Sequence, residues 1–273
     1  MTTTTFPLDG PINLQVRAGH GSLAVHAADS VTEASVTLEP RVADSDIVER
    51  TTVEMRGRTL VVVTPRRGGI FDLPVFGGSA NSRDALDITV TVPSGTAMKL
   101  SSFTAGIAVD GRAGSADVAA GAADIHVDHI DGDLQLRFGS GNAHAERITG
   151  SVVARSGSGD AVFGEIGGGL TSGCGSGRLE VGTVRGSVRS RSGSGTALLN
   201  AVYGDVDLAS GSGGVEIGLP EGRSAQLDVT TGSGQVQSDL PVDDAPKQGS
   251  HRISIRARTG SGDIRVFRAL RAG

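Results

Sequence analysis

The hydrophobic and polar positions between residues 114 and 222 repeat at a constant interval along the chain. One glycine series steps by 18 and consists of Gly141, Gly159, Gly177, Gly195 and Gly213. A second series with the same step runs from Gly114 to Gly222. Apolar or small residues lie two, four, eleven, thirteen and sixteen places after most glycines of the second series. This alternation predicts two short, half-buried strands in each unit, with glycines at the turns between them.

The repeat excludes two other architectures. Two or three glycines in each unit would destabilise a helix by about 1 kcal/mol each. A propeller blade needs roughly 40 residues, more than twice the observed unit. We therefore expect an all-β chain that forms a single elongated β-solenoid, similar to a β-helix, with 18-residue coils stacked about 4.8 Å apart.

The rest of the chain is expected to complete this solenoid. Residues 1–100 are strand-like but lack the tight period, so they are interpreted as an irregular amino-terminal half that caps the stack. Residues 101–222 form the regular repeat, and residues 223–273 form the carboxy-terminal coils and cap.

Five large apolar residues interrupt the amino-terminal half in the segment 65–83, which also contains two prolines. They either pack back against the solenoid or bind a partner or a second copy of the chain. They are the candidate interaction residues Ile70, Phe71, Leu73, Val75 and Phe76.

The sequence LDITVTVP at 86–93 is followed by strands that carry the motif SG-x-G-[DN]. This combination resembles the bacterial putative-adhesin family of unknown function, and the similarity extends from about Leu14 to Phe267. The resemblance implies a β-solenoid-like fold, and it adds little about activity because the family name rests on architecture.

Composition narrows the classes of function. The net charge of −5 argues against nucleic-acid binding. The sequence contains no run of 18 apolar residues, so no membrane span is predicted. The single cysteine, Cys174, favours a reducing compartment, and the first residues do not resemble a signal peptide, so we expect a cytoplasmic protein.

Two sets of outward side chains are candidates for ligand binding. His126 and His144 occupy equivalent positions in successive units, with Asp128 and Glu146 two places later, and imidazole and carboxylate groups can hold a divalent metal ion. A solvated polar face is the simpler interpretation of this set. The second set is an arginine column that contains Arg137, Arg155, Arg189 and Arg191. It is interpreted either as a patch that binds an anion or a polysaccharide, or as an ordinary solvent-exposed face.

No catalytic triad, carboxylate pair or cofactor motif stands out, so neither an enzyme nor a cofactor is expected. The favoured function is a non-catalytic scaffold or protein-binding module. Self-assembly into a filament is one alternative. A polysaccharide-acting β-helix enzyme ranks last, because aromatic residues make up only 3% of the chain.

Overall fold

A computed structural model describes residues 1–43, 45–65, 84–240 and 252–269. These residues form 23 strands and one four-residue helix, which confirms the all-β class. None of them belongs to a helix with the length and apolar character that crossing a membrane requires. The chain divides into two compact units, Met1–His129 and Ile130–Gly273. The predicted boundaries at residues 100 and 222 stay predictions.

The amino-terminal unit holds the helix and the first eleven strands, except for Ile130 at the end of the eleventh. They are β1 (Thr2–Pro7), β2 (Asn13–Ala18), β3 (His20–Ala28), β4 (Glu33–Pro40), α1 (Ile47–Arg50), β5 (Thr52–Arg56), β6 (Thr59–Val63), β7 (Ala85–Pro93), β8 (Ala97–Ser102), β9 (Gly106–Ala113), β10 (Ala116–Ala122) and β11 (Ile125–Ile130).

Strand order in this unit is mixed. The strand β3 pairs in parallel with β7 and β9, and β2 pairs in parallel with β6 and β8. In contrast, β4 is antiparallel to both β1 and β7, and β5 is antiparallel to β6. Alternate residues of the paired strands are buried, as in Leu23, Val25, Ile88 and Val90, so one face of each strand lies in the core.

The carboxy-terminal unit holds the other twelve strands. They are β12 (Leu134–Ser140), β13 (Ala143–Ile148), β14 (Val152–Ser158), β15 (Ala161–Ile166), β16 (Leu170–Val184), β17 (Val188–Val202), β18 (Val206–Ser212), β19 (Val215–Leu219), β20 (Ser224–Thr231), β21 (Val236–Ser238), β22 (Arg252–Ser261) and β23 (Ile264–Arg268).

Most strands of this unit pair in parallel at the constant interval of the sequence repeat. Leu134 lies opposite Val152, which lies opposite Leu170, and the series continues through Val188 to Val206. All five side chains are buried, each at 2% exposure or less. Each such side chain contributes about 1.5–3 kcal/mol through its burial. The interval becomes longer where β18 pairs with β22, because β20 and β21 lie between these two strands in the sequence.

The prediction of a single elongated β-solenoid with 18-residue coils is wrong. The strands pair in mixed order, parallel in some pairs and antiparallel in others, and the chain has two compact units in place of one continuous stack of coils. The physical reason lies in the connections of the amino-terminal half. Only Gly57 and Arg58 separate β5 from β6, and a two-residue connection joins neighbouring strands only in the antiparallel sense.

Glycine rows let the parallel strands of the carboxy-terminal unit approach closely. A Cβ atom at Gly157, Gly175, Gly193 or Gly211 would lie only 2.5–2.7 Å from the carbonyl oxygen of the glycine one strand earlier. Any side chain at these positions would push the strands apart. We call these four residues, with Gly139 before them, the glycine row.

Candidate functional site

Six arginines project from one side of the carboxy-terminal unit. Strand pairing aligns them in two adjacent columns across β12, β14, β16, β17, β18 and β22. We call this surface the arginine face, and its arginines are Arg137, Arg155, Arg189, Arg191, Arg256 and Arg258.

These arginines point outward because they alternate with buried residues. On β17, Ser190 lies between Arg189 and Arg191 and is only 5% exposed, and on β22 Ala257 lies fully buried between two further arginines. Successive side chains of a strand point to opposite faces, so burial of the intervening residue places its neighbours in solvent. The sequence alternation therefore fixes which side of the strands carries the charge.

The arginine face already holds one carboxylate of the protein itself. The Asp207 side chain accepts a hydrogen bond from Arg191 Nη2 at 2.8 Å, and Arg189 Nε lies 3.7 Å from the same oxygen. The hydrogen bond from Arg191 holds the pKa of Asp207 below its ordinary value, and the charges of Arg191, Arg189 and Arg256 act in the same direction. This cluster thus binds an anionic oxygen.

A second carboxylate accompanies the other end of the face. Asp228 on β20 lies beside β22, with its Oδ2 atom 3.0 Å from Arg256 Nε and 3.6 Å from Arg258 Nη2. Each of the two aspartates therefore lies near two arginines of the face. Among the described contacts, Arg155 takes part in no hydrogen bond or ion pair.

An open notch lies next to Arg155. Gly173 pairs with Arg155 on one side and with Arg191 on the other, and nothing lies within 4 Å of the position that a Cβ atom would occupy there. The two arginines are separated by two strand spacings, or about 10 Å. We call this space the glycine notch. It is bordered by the exposed Thr171 in the neighbouring column.

The candidate metal ligands lie in both units. His126 and Asp128 are on β11, where Asp128 accepts a hydrogen bond from the Gly111 amide at 3.3 Å. His144 and Glu146 are on β13, and the His144 Nε2 atom lies 2.7 Å from Glu146 Oε1. Within the described part of the chain, no group of three or more His, Cys, Asp or Glu side chains is placed to hold a metal ion.

The predicted turn glycines fall into two classes. Gly141 and Gly177 have φ values of 102° and 129°, a region that favours glycine. At Gly159, Gly195 and Gly213, a Cβ atom would collide with the carbonyl oxygen of the equivalent glycine one strand earlier. Close approach of the backbone, in place of turn conformation, is the reason for glycine at these three positions.

The apolar segment and the single cysteine were also singled out in the sequence. The candidate interaction residues Ile70, Phe71, Leu73, Val75 and Phe76 lie outside the described residues. Cys174 is half-buried between Ser156 and Ser192 of the neighbouring strands, and burial raises the pKa of its thiol. A raised thiol pKa lowers the fraction of reactive thiolate.

Sequence reasoning missed Arg256 and Arg258. They follow the long segment that breaks the 18-residue period, so simple counting does not reach them. The signal was nevertheless present, because aligning TGSGD at 259–263 with SGSGG at 210–214 places the two arginines opposite Asp207 and Ala209.

No family model and no curated protein matches this chain. Solved structures do match over nearly the whole length. A putative lipid binding protein from Parabacteroides distasonis is 14% identical, with a TM-score of 0.54, and the match covers 97% of this chain and 96% of that one. A putative adhesin from Parabacteroides merdae is 10% identical, with a TM-score of 0.43 and coverage of 97% and 95%. A putative adhesin from Bacteroides fragilis is 15% identical, with a TM-score of 0.37 and coverage of 97% and 96%.

The likeness to the Parabacteroides distasonis protein shows a shared fold. The other two structures carry the name putative adhesin. They do not confirm the predicted β-solenoid repeat.

Proposed function

We propose that this chain is a non-catalytic binding module that holds an anionic partner on the arginine face. The observation that carries the proposal is the alignment of six solvent-facing arginines in two adjacent columns, in a chain whose net charge is −5. A local positive surface on an acidic protein attracts anions to one place. Arginine is also well suited to carboxylate, sulfate and phosphate groups, because its planar guanidinium donates two parallel hydrogen bonds.

The chemistry of the face supports binding without catalysis. Guanidinium groups stay protonated in proteins, so they supply charge and hydrogen-bond donors but cannot act as general bases. Asp207 is a weak base because its pKa is lowered by Arg191. These groups can therefore orient an anion but have no means of removing a proton from it.

Binding by this face should depend on salt. Exposed ion pairs contribute about 1 kcal/mol or less each, so affinity requires several arginines to act together. The screening length is about 8 Å at physiological ionic strength, close to the spacing between the arginines. We expect affinity to fall steeply as salt rises.

The test compares a double variant of the face with a matched double variant elsewhere. Arg155→Ala/Arg191→Ala removes two charges from the face, whereas Arg147→Ala/Arg178→Ala removes two charges from β13 and from the second half of β16. Affinity is measured for heparin, poly-L-glutamate and phosphatidylglycerol vesicles at low salt. The vesicles address the lipid-binding name of the Parabacteroides distasonis protein.

We expect the parent to bind at least one probe, the face variant to lose about tenfold or more in affinity, and the control to change less than about twofold. Absence of binding to all three probes would overturn the proposal. Equal losses in the two double variants would show a net-charge effect and would also overturn it.

Self-association is a second candidate function, and it is favoured by the incomplete burial of the apolar side chains on β20. Ala225, Leu227 and Val229 point to the core side of this strand but are half-exposed, whereas their partners on β22 are buried. A strand from a second copy added beside β20 would cover them.

A further inference from the structure

We infer that the anionic partner is an acidic polysaccharide, a chain of sugars bearing carboxylates or sulfates, which lies across the strands along the arginine face. This inference rests on the proposed function and names the class of its ligand. It is carried by the spacing of the arginines, by the surface between them and by the internal carboxylate that they already hold.

The arginines define a line and not a single pocket. One column contains Arg137, Arg155, Arg191 and Arg258, on the first, second, fourth and sixth of six adjacent strands. At about 4.8 Å for each step, the column extends over about 24 Å. A single phosphate or carboxylate engages only part of such a line. A linear polymer with repeated anionic groups can engage all of it.

The surface between the arginines does not resemble a protein-binding site. Protein interfaces depend on a few buried aromatic, apolar or arginine anchors in central pockets. Between the arginines this face presents Thr171, Gly173 and Ala209, and next to the column runs the exposed glycine row. Its one exposed large apolar side chain among the described residues is Val153, at 38%. Insertion into a lipid surface likewise needs an apolar face, which is lacking here.

A hydroxyl group lies beside the arginine column. Thr171, in the neighbouring column, is exposed and borders the glycine notch. Its hydroxyl both donates and accepts hydrogen bonds, as do the hydroxyls of a sugar. On the other side of the column, the exposed glycine row has no side chains, so a sugar chain can approach the backbone closely there. An acidic polysaccharide carries both charged groups and hydroxyls, and this face offers partners for both.

The contacts of Asp207 indicate how the anionic groups of the ligand would bind to the arginines. Its carboxylate is bound by Arg191, with Arg189 and Arg256 nearby. A uronate carboxylate or a sulfate ester offers equivalent oxygen acceptors, so it competes with Asp207 for Arg191. The other side of Arg191 opens onto the glycine notch, where Arg155 completes a site for such a group. Removal of the Asp207 charge should therefore strengthen binding, in contrast to removal of an arginine.

The experiment measures the affinity for polygalacturonate, heparin and neutral dextran by titration calorimetry, in the parent and three variants. Asp207→Asn removes the internal competitor, and Glu216→Gln removes one negative charge from β19, off the face. We expect parent binding to polygalacturonate or heparin but not dextran, and a gain of about threefold or more in Asp207→Asn with little change in Glu216→Gln. The double variant Arg155→Ala/Arg191→Ala should lose about tenfold or more.

Chain length gives an independent readout. Affinity for oligogalacturonates should rise with length until the oligomer spans the six strands, and then level off. An affinity that is already maximal for a single sugar would overturn the linear arrangement.

The outcomes separate this inference from the proposed function. If the parent binds poly-L-glutamate or phosphatidylglycerol vesicles but neither acidic polysaccharide, the inference is overturned and the proposed function stands. If no anionic probe binds, both are overturned. If Glu216→Gln strengthens binding as much as Asp207→Asn, net charge explains the effect and the assignment to the arginine face is wrong.

Discussion

At the scale of single residues, two glycines on the same strand serve different purposes. A Cβ atom at Gly175 would lie 2.6 Å from the carbonyl oxygen of Gly157, whereas a Cβ atom at Gly173 would meet nothing within 4 Å. Gly175 is therefore needed for the close approach of neighbouring strands. Gly173 is not needed for packing and instead leaves the glycine notch open.

This difference predicts unequal effects of the same substitution. Gly175→Ala should destabilise the protein by about 1–3 kcal/mol because the strands must separate. Gly173→Ala should change the free energy of unfolding by less than about 0.5 kcal/mol, since its methyl group enters open space. Urea unfolding followed by circular dichroism measures both values. Equal effects would contradict the described strand pairing.

At the scale of elements, a polar cluster links strands of the amino-terminal unit. The Asp87 carboxylate on β7 accepts hydrogen bonds from Ser22 on β3 at 2.5 Å and from Arg41 Nε, just after β4, at 2.9 and 3.0 Å. The hydrogen bond from Arg41 lowers the pKa of Asp87, with a smaller effect in the same direction from Ser22. The cluster thus joins three strands that are far apart in the sequence.

Asp87→Asn should therefore destabilise the protein in a pH-dependent way. The Asp87 carboxyl has a pKa of about 3.9 in the unfolded chain and a lower pKa in the folded protein. Its contribution to the free energy of unfolding is therefore present above the unfolded pKa and is lost as pH falls through the folded pKa. The carboxylate is about one-third exposed, so we expect at most about 1 kcal/mol. Thermal unfolding at pH 7 should separate parent and variant, and the difference should shrink towards pH 2.

Thr89→Ala, on the same strand, is the control, because it removes no titrating group. Its difference from the parent should be the same at both pH values. A difference in Asp87→Asn that persists unchanged in acid would show that the effect is steric.

The elements that the sequence predicted best are those of constant spacing. Strands β12 to β19 follow the 18-residue period, since each apolar position lies opposite an equivalent one. The antiparallel pairing of β4 with β7 was not predicted, because the helix, β5 and β6 lie between these strands in the sequence and no period relates the two. Local patterns indicate that a strand exists but do not choose its partner.

The site was predicted in part for the same reason. Four of its arginines lie in or next to the period and were identified by counting. Arg256 and Arg258 lie beyond a long insertion and were not. The hydrogen bond between Arg191 and Asp207 depends on the conformation of two side chains, which the sequence pattern does not determine.

At the scale of the whole molecule, the second candidate function concerns assembly. A strand added beside β20 by a second copy would bury the half-exposed Val229, and the association would depend on concentration. Light scattering behind a sizing column should then show an average mass that rises above 27.6 kDa with concentration.

Val229→Lys should abolish that rise, because an added strand would cover the new charge on the core side of β20 and remove it from water. Gln226→Lys, at an exposed position on the same strand, adds the same charge and should behave like the parent. A constant mass of 27.6 kDa in the parent would exclude self-association.

The constant offset between strands β12 and β18 has a consequence for evolution. Because equivalent residues pair at regular intervals, loss or duplication of one repeat unit keeps every remaining strand in register with a neighbour of the same design. Such an event would shorten or lengthen the stack of strands that carries the arginine column by about 4.8 Å, with backbone pairing continuing across the junction. The length of polymer that a descendant recognises can thus change through copy number alone.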